Sequence, residues 1–129
     1  MVEPPYGDAG ILMINVNNCN ISQNTLIENA AGVQLEHEAD GNTIANNTIA
    51  NNIVGIGISY AGFNRLVGNK VANNSIFGVD LGWAAENNIV SDNYVNASAY
   101  ALAAINIDNS HYNTLLRNYV ANSPAGIWI

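Results

Sequence analysis

Positive charge is almost missing from this chain. Arg65, Lys70 and Arg117 are the only Lys or Arg residues among 129, and the net charge is −7. Nucleic-acid binding needs several cations to neutralise phosphates, so that partner is excluded, and a polybasic membrane anchor falls for the same reason. The apolar runs are too short to cross a bilayer as a helix. Cys19 is the single cysteine, which rules out an internal disulfide and a thiolate-built metal site within one chain. The opening stretch MVEPPYGDAG lacks the basic region and apolar core of a signal peptide.

What the chain has in excess is asparagine, 24 residues of 129, in a composition that is 49% hydrophobic and only 10% charged. That apolar content excludes disorder. Asn is a poor helix former that tolerates left-handed backbone and bonds its own turn, so an Asn-rich globular chain has many turns. Those turns recur. Gly-apolar-x-apolar units begin at Gly10, Gly32, Gly55 and Gly78, continue as AINI from Ala104, and end as GIWI from Gly126. Successive units are thus 22 to 26 residues apart, a spacing too even for chance.

A second signature, Asn-x-apolar-x-x-Asn-x-apolar, follows each unit. It reads Asn42, Ile44, Asn47, Ile49 in the second period, and Asn64, Leu66, Asn69, Val71 in the third. Asn88, Val90, Asn93, Val95 and Asn113, Leu115, Asn118, Val120 continue it, while the first period has Cys19 at the leading position. Alternation within Gly-apolar-x-apolar is the period-2 pattern of a short strand, with Val33 and Leu35 on one face. Two inward apolar residues five apart cannot share a straight strand, because an odd offset flips the face. The intervening Asn therefore marks a bend, where its left-handed tolerance is expected to be used. Each period then holds three short strands and three bends. The fold class expected is all-β, a right-handed parallel β-helix solenoid of about five coils with roughly 23 residues per coil. Stacking should align Asn24, Asn47, Asn69, Asn93 and Asn118 as an amide ladder, and the longer step from Gly78 to Ala104 predicts a bulge over 97–103.

These G-I-x-I and N-x-I-x-x-N-x-I repeats resemble those of the pectate-lyase-like superfamily of parallel β-helices, and are most similar to its NosD-type periplasmic and carbohydrate-binding members. The resemblance covers Gly10 to Ile129 and implies an extracellular or periplasmic location. It implies no single activity, since one fold hosts lyases, hydrolases, epimerases and non-enzymes. Polygalacturonases of this superfamily carry clustered Asp with nearby His, Arg and Lys. Pectate lyases place Arg or Lys beside acid-bound calcium, and alginate epimerases carry Asp-Pro-His. None of these constellations occurs here.

The most polar departure from the repeat follows the second unit, at Glu36, His37, Glu38 and Asp40. Counted from each opening residue, one column holds His37, Tyr60, Trp83 and Asn109, with Glu36, Ser59, Gly82 and Asp108 one position earlier. Asp80 and Asn106 take the outward strand position, and His111 follows in the fifth coil. Aromatic faces stack on sugar rings while carboxylates bond hydroxyls or hold calcium, so Glu36, His37, Tyr60, Asp80, Trp83 and Asp108 form a candidate carbohydrate edge. The bland alternative is a solvated turn edge whose aromatics merely cover the turn.

The leading expectation is a small non-catalytic β-helix that binds polysaccharide along this edge. Two alternatives stay open. One is a lyase or hydrolase acting on an acidic polysaccharide, with Asp80, Asp108, His37 and His111 as the catalytic candidates. The other is a structural stacking module or a fragment of a longer solenoid. No cofactor or metal centre is expected, calcium being the one ion the acids could hold. Residues 1–9 read as an N-terminal arm and partial cap, residues 10–129 as the β-helix. Open solenoid ends predict self-association, with a homodimer favoured over filaments.

Overall fold

The structure, a computed structural model, describes residues 8–129. Sheet A contains, in spatial order, β1 (Ala9–Ile14), β4 (Ala31–Glu36), β7 (Val54–Ser59), β10 (Phe77–Gly82), β13 (Ala103–Asp108) and β16 (Ala125–Trp128). Sheet B contains β2 (Asn20–Ser22), β5 (Thr43–Ala45), β8 (Arg65–Val67), β11 (Ile89–Ser91) and β14 (Thr114–Leu116). Sheet C contains β3 (Thr25–Ile27), β6 (Thr48–Ala50), β9 (Lys70–Ala72), β12 (Tyr94–Asn96) and β15 (Tyr119–Ala121). Every pairing is parallel and joins a strand to its counterpart one coil away. The chain is therefore a parallel β-helix of five coils, with β16 opening a sixth. The expected arm lies outside the described residues up to residue 7, and Ala9 already pairs with Ala31.

Four inward columns make most of the core, and one of the two on sheet A is Met13, Leu35, Ile58 and Leu81, all buried. Val33, Ile56, Val79 and Ile105 are in register on sheet A and fully buried. Ile21, Ile44, Leu66 and Val90 line sheet B, while Ile49, Val71 and Val95 line sheet C, all of them buried. Each such side chain contributes about 1.5–3 kcal/mol by leaving water. The recurring glycine near the start of the sheet A strand leaves no room for a side chain. A Cβ on Gly32 would lie 2.7 Å from the Gly55 carbonyl oxygen, and one on Gly78 would lie 2.7 Å from that of Ala104. Backbone packs against backbone there, so the side chain is excluded. The longer fourth coil places residues 97–102 between β12 and β13, where the second coil needs only 51–53 between β6 and β7.

The corners revise one expectation. The aligned asparagines do not themselves adopt the left-handed conformation. Between sheets B and C that conformation belongs to Gln23, Asn46, Gly68, Asp92 and Arg117, with φ between 51° and 66°, each one residue before an aligned Asn. The left-handed residue swings the chain through the corner and turns the next side chain inward, so bending and hydrogen bonding fall on successive residues. Asn24, Asn47, Asn69 and Asn93 each donate a backbone N–H to the Oδ1 of the Asn one coil on, at 2.9–3.0 Å. The Nδ2 groups of Asn47, Asn69, Asn93 and Asn118 reach back to the carbonyls of Ile21, Ile44, Leu66 and Val90. Each buried amide is thereby satisfied by its neighbours in the stack.

The backbone part of this bonding recurs at the entry to sheet B, where the buried Nδ2 of Asn64 has no hydrogen-bond partner among the described residues. There Cys19, Asn42, Asn64 and Asn88 donate backbone N–H groups to the asparagines of the following coil. A third, shorter column, Asn29, Asn52 and Asn74, stands at the exit from sheet C. Its offset of five from Asn24, Asn47 and Asn69 was visible in the sequence but not recognised as a column.

Candidate functional site

The corner leaving sheet A is built by five residues in left-handed backbone, Asn15, His37, Tyr60, Trp83 and Asn109, with φ between 46° and 51°. Bulky side chains rarely adopt this conformation, which costs them about 1–2 kcal/mol each. Here the backbone is held by bonds to the next coil: Tyr60 N–H donates to the Trp83 carbonyl at 2.8 Å, and Trp83 N–H to that of Asp108 at 3.1 Å. The left-handed turn throws the side chains outward. Tyr60 is 52% and Trp83 59% exposed. His37 and Tyr60 rings lie parallel, 5° apart in plane with centroids at 5.8 Å, while Trp83 has no ring partner among the described residues.

The outward face of sheet A supplies the polar groups beside this corner. One row in register runs Leu12, Gln34, Gly57, Asp80, Asn106 and Trp128, and the next Ile14, Glu36, Ser59, Gly82 and Asp108. Asp80 accepts a hydrogen bond from Asn106 Nδ2 at 2.8 Å and is largely buried. Glu36 is buried too, with its Oε2 4.0 Å from His37 Nε2, an ion-pairing distance when the imidazole is protonated. Gln34 folds across the space left by Gly57 and donates to Ser59 Oγ at 3.4 Å. Asp108 is exposed and lines a groove of about 440 Å³ with Phe77, Leu102, Asn106 and Trp128.

Glu36, His37, Tyr60, Asp80, Trp83 and Asp108 thus share one side of the solenoid, spread over coils 2 to 5. His111 lies apart from them, edge-on to Tyr112 at 6.2 Å. Asp80 and Asp108 occupy neighbouring strands, Asp80 opposite Asn106 and Asp108 opposite Gly82. Phe63 is an addition that the sequence reading missed. It is 69% exposed and lines a groove of about 210 Å³ with Asp40, Tyr60, Ala84 and Glu86. Its signal was its place immediately before Asn64, the left-handed position of the corner into sheet B.

Comparison with known proteins gives two kinds of match. The sequence profile of the family described as periplasmic copper-binding protein (NosD) matches residues 6–129. Among solved structures, the A-module of the mannuronan C-5 epimerase AlgE4 of Azotobacter vinelandii superposes with a TM-score of 0.81 at 18% identity. That match covers 96% of this chain and 41% of the epimerase module. A mutant of the periplasmic alginate epimerase AlgG superposes with a TM-score of 0.70 at 20% identity, covering 91% of this chain and 36% of that one. At these identities the likeness is one of fold, and the chain spans about two fifths of the length of these structures. A search of curated proteins gives no match.

Copper, named in the family description, favours imidazole, thiolate and thioether donors. Of the described residues, His37 and His111 sit on coils 2 and 5, roughly 14 Å apart by strand spacing. Met13 is buried in the core, and Cys19 lies on coil 1 at the entry to sheet B. No group of three or more His, Cys, Asp or Glu gathers among the described residues. The donor set described here does not fit a copper centre.

Proposed function

For a chain that belongs to the family of periplasmic copper-binding proteins (NosD), and that carries this corner, we propose a polysaccharide-binding role. The observation that carries the reading is the set of outward rings His37, Tyr60 and Trp83 on three successive coils, rimmed by Glu36, Asp80 and Asp108. Backbone bonds to the next coil hold these rings in place, so a glycan meets a surface that needs little ordering. Tyr60 and His37 cover one another's faces and offer edges and polar tips. The indole of Trp83 is left to stack on a sugar ring.

The rim decides the class of glycan. Glu38, Asp40 and Glu86 join the carboxylates already named, while Arg65, Lys70 and Arg117 all lie on sheets B and C or the turn between them. An acidic polysaccharide would meet like charge with no cation to offset it, so the proposed ligand is a neutral glycan whose hydroxyls donate to the exposed carboxylates of Glu38 and Asp108. The same distribution disfavours a lyase mechanism at this edge, since no Lys or Arg stands beside Asp80 or Asp108 to act as base. The family description, which names periplasmic proteins, supports a site of action in the periplasm.

Two single-tryptophan variants test the reading. Trp128→Phe reports Trp83 alone, and Trp83→Phe reports Trp128 alone. Titration with neutral oligosaccharides should change the emission of the first more than that of the second. Unperturbed emission from both variants across a panel of neutral glycans would remove the proposal.

A further inference from the structure

Sheet B has an outward face that a second surface can approach closely. Arg65 apart, its outward rows carry small or apolar side chains, Thr43, Ala45, Val67, Ile89, Ser91 and Leu116 among them. Two columns of left-handed residues bound the face. The column entering sheet B runs Asn18, Gly41, Phe63, Asn87 and Tyr112, and the column leaving it runs Gln23, Asn46, Gly68, Asp92 and Arg117. On coil 3 one column has an exposed phenyl ring where the other has glycine.

Gly68 lies in a groove of about 390 Å³ with Asn69, Lys70, Asp92 and Tyr94. Asn46 Oδ1 fills the space directly over Gly68, so the groove opens toward Lys70 and Tyr94. Arg117 grips Asp92 through two bonds, Nε to Oδ1 at 2.6 Å and Nη2 to Oδ2 at 2.9 Å. The exposed cation of this edge with no ion-pair partner among the described residues is therefore Lys70. Charge is reversed at the entry edge. The column just before it holds Asp40 on coil 2, Gly62 on coil 3 and Glu86 on coil 4, aligned by bonds from Gly62 N–H to Asp40 Oδ1 at 2.7 Å and from Phe63 N–H to the Glu86 carbonyl at 3.2 Å. Gly62 leaves a groove of about 210 Å³ beside these two carboxylates, and neither is ion-paired among the described residues. A ring and a cation on coil 3 thus each have a matching recess at the opposite edge of one face.

We propose that sheet B is the contact face between two copies of this chain, paired about a two-fold axis parallel to the solenoid. Phe63 of each copy then enters the Gly68 groove of the other, and Lys70 of each reaches between the other's Asp40 and Glu86. That axis exchanges the two edges while keeping the coils level, so coil 3 meets coil 3. A two-fold axis across the solenoid would set acidic edge on acidic edge. The same register brings Asn87 opposite Asp92 and Tyr112 opposite Arg117, an amide on a carboxylate and a ring on a guanidinium. By strand spacing the face with its corners offers roughly 500 Å² per copy. The total falls at the low end for protein–protein contacts, so the pairing is weak and salt-sensitive. An isologous contact closes at two copies. This places self-association on a side of the solenoid rather than at its ends, and it does not rest on the glycan reading.

Sedimentation equilibrium of the full chain, from micromolar to millimolar concentration at low and high salt, is the test. A monomer–dimer equilibrium that weakens with salt is expected. Phe63→Asn, which suits the left-handed backbone, and Lys70→Glu should each weaken pairing by about tenfold or more. Thermal unfolding should not change, because both side chains are exposed. Glu86→Lys alone should weaken pairing as well. An equimolar mixture of Lys70→Glu and Glu86→Lys chains should recover part of it, since positions 70 and 86 again meet with opposite charge in both contacts. A monomer at every concentration would overturn the proposal. So would growth beyond dimers, a mixture that recovers nothing, or a dimer that Phe63→Asn and Lys70→Glu leave intact.

Discussion

Removing one amide from the middle of the stack should cost far more than removing the same amide from its end. The Asn69 side chain makes four hydrogen bonds. It accepts from Asn47 N–H and Nδ2 at 3.0 and 3.1 Å, and donates to the Ile44 carbonyl at 2.8 Å and to Asn93 Oδ1 at 3.0 Å. Asn69→Ala deletes all four and strands the buried N–H of Asn47. A net hydrogen bond is worth about 1 kcal/mol and a stranded buried donor costs about 1–3 kcal/mol, so the expected loss is roughly 4 kcal/mol. That is a large fraction of a typical stability of about 5–15 kcal/mol. Asn24 sits at the other extreme. Its Nδ2 donates to the Ser22 carbonyl and to Asn47 Oδ1, which keeps the Asn24 backbone N–H as a donor when the side chain goes. Asn24→Ala should therefore cost about 1 kcal/mol or less. Urea unfolding gives both values by linear extrapolation, with fluorescence and circular dichroism required to report one transition. Losses equal to within about 1 kcal/mol would refute the argument, because they would show that position in the stack has no influence on what the amide is worth.

Gly55→Ala should prevent folding or destabilise severely, since the added Cβ would meet Val71 Cγ1 at 2.6 Å and Asn74 Nδ2 at 2.9 Å as well as the Gly78 carbonyl. Gly126→Ala should be nearly neutral by the same unfolding assay, because its Cβ would find only Val120 Cγ1, at an ordinary 3.6 Å. The Arg117 guanidinium, chiefly through its hydrogen bonds, holds the Asp92 carboxyl below the usual carboxylate range. A depressed folded-state value stabilises the fold above the ordinary Asp range near pH 4 and loses that effect as pH falls through the depressed value. Carbon-13 titration should show Asp92 ionising below its ordinary range, and Arg117→Met should move it back up; an unshifted Asp92 in the parent chain would remove the pairing from solution.

Much of the coil could be read from residue order alone, because each residue's stacking partner lies one period away. The Gly-apolar-x-apolar spacing placed Val33, Ile56, Val79 and Ile105 in one inward column, and the extra residues before Ala104 located a bulge at 97–103, where the structure has the long corner 97–102. The candidate edge was legible to the same extent. His37, Tyr60 and Trp83 could be aligned by counting, since a column is a one-dimensional property. What happens at right angles to a column was not legible. Whether Asn or the residue before it carries the left-handed φ depends on how two short strands meet across a corner, and period-2 alternation is silent at the bend. Phe63 escaped for that reason, as did the third amide column.

The sequence by itself determined the repeat length, the inward apolar columns, the aligned asparagines and the scarcity of cations, because these are fixed by offsets along the chain and by residue type. Only the tertiary structure decided which columns become neighbours around the coil. It brought Arg65, Lys70, Asp92 and Arg117 to one corner and joined Asp80 to Asn106. It also set Tyr94 flat against Tyr119, and left Trp83 without a ring partner among the described residues. The physical reason is geometric: the direction of a side chain at a corner follows from the backbone torsions of the turn, and those are held by hydrogen bonds to the next coil rather than by the local sequence.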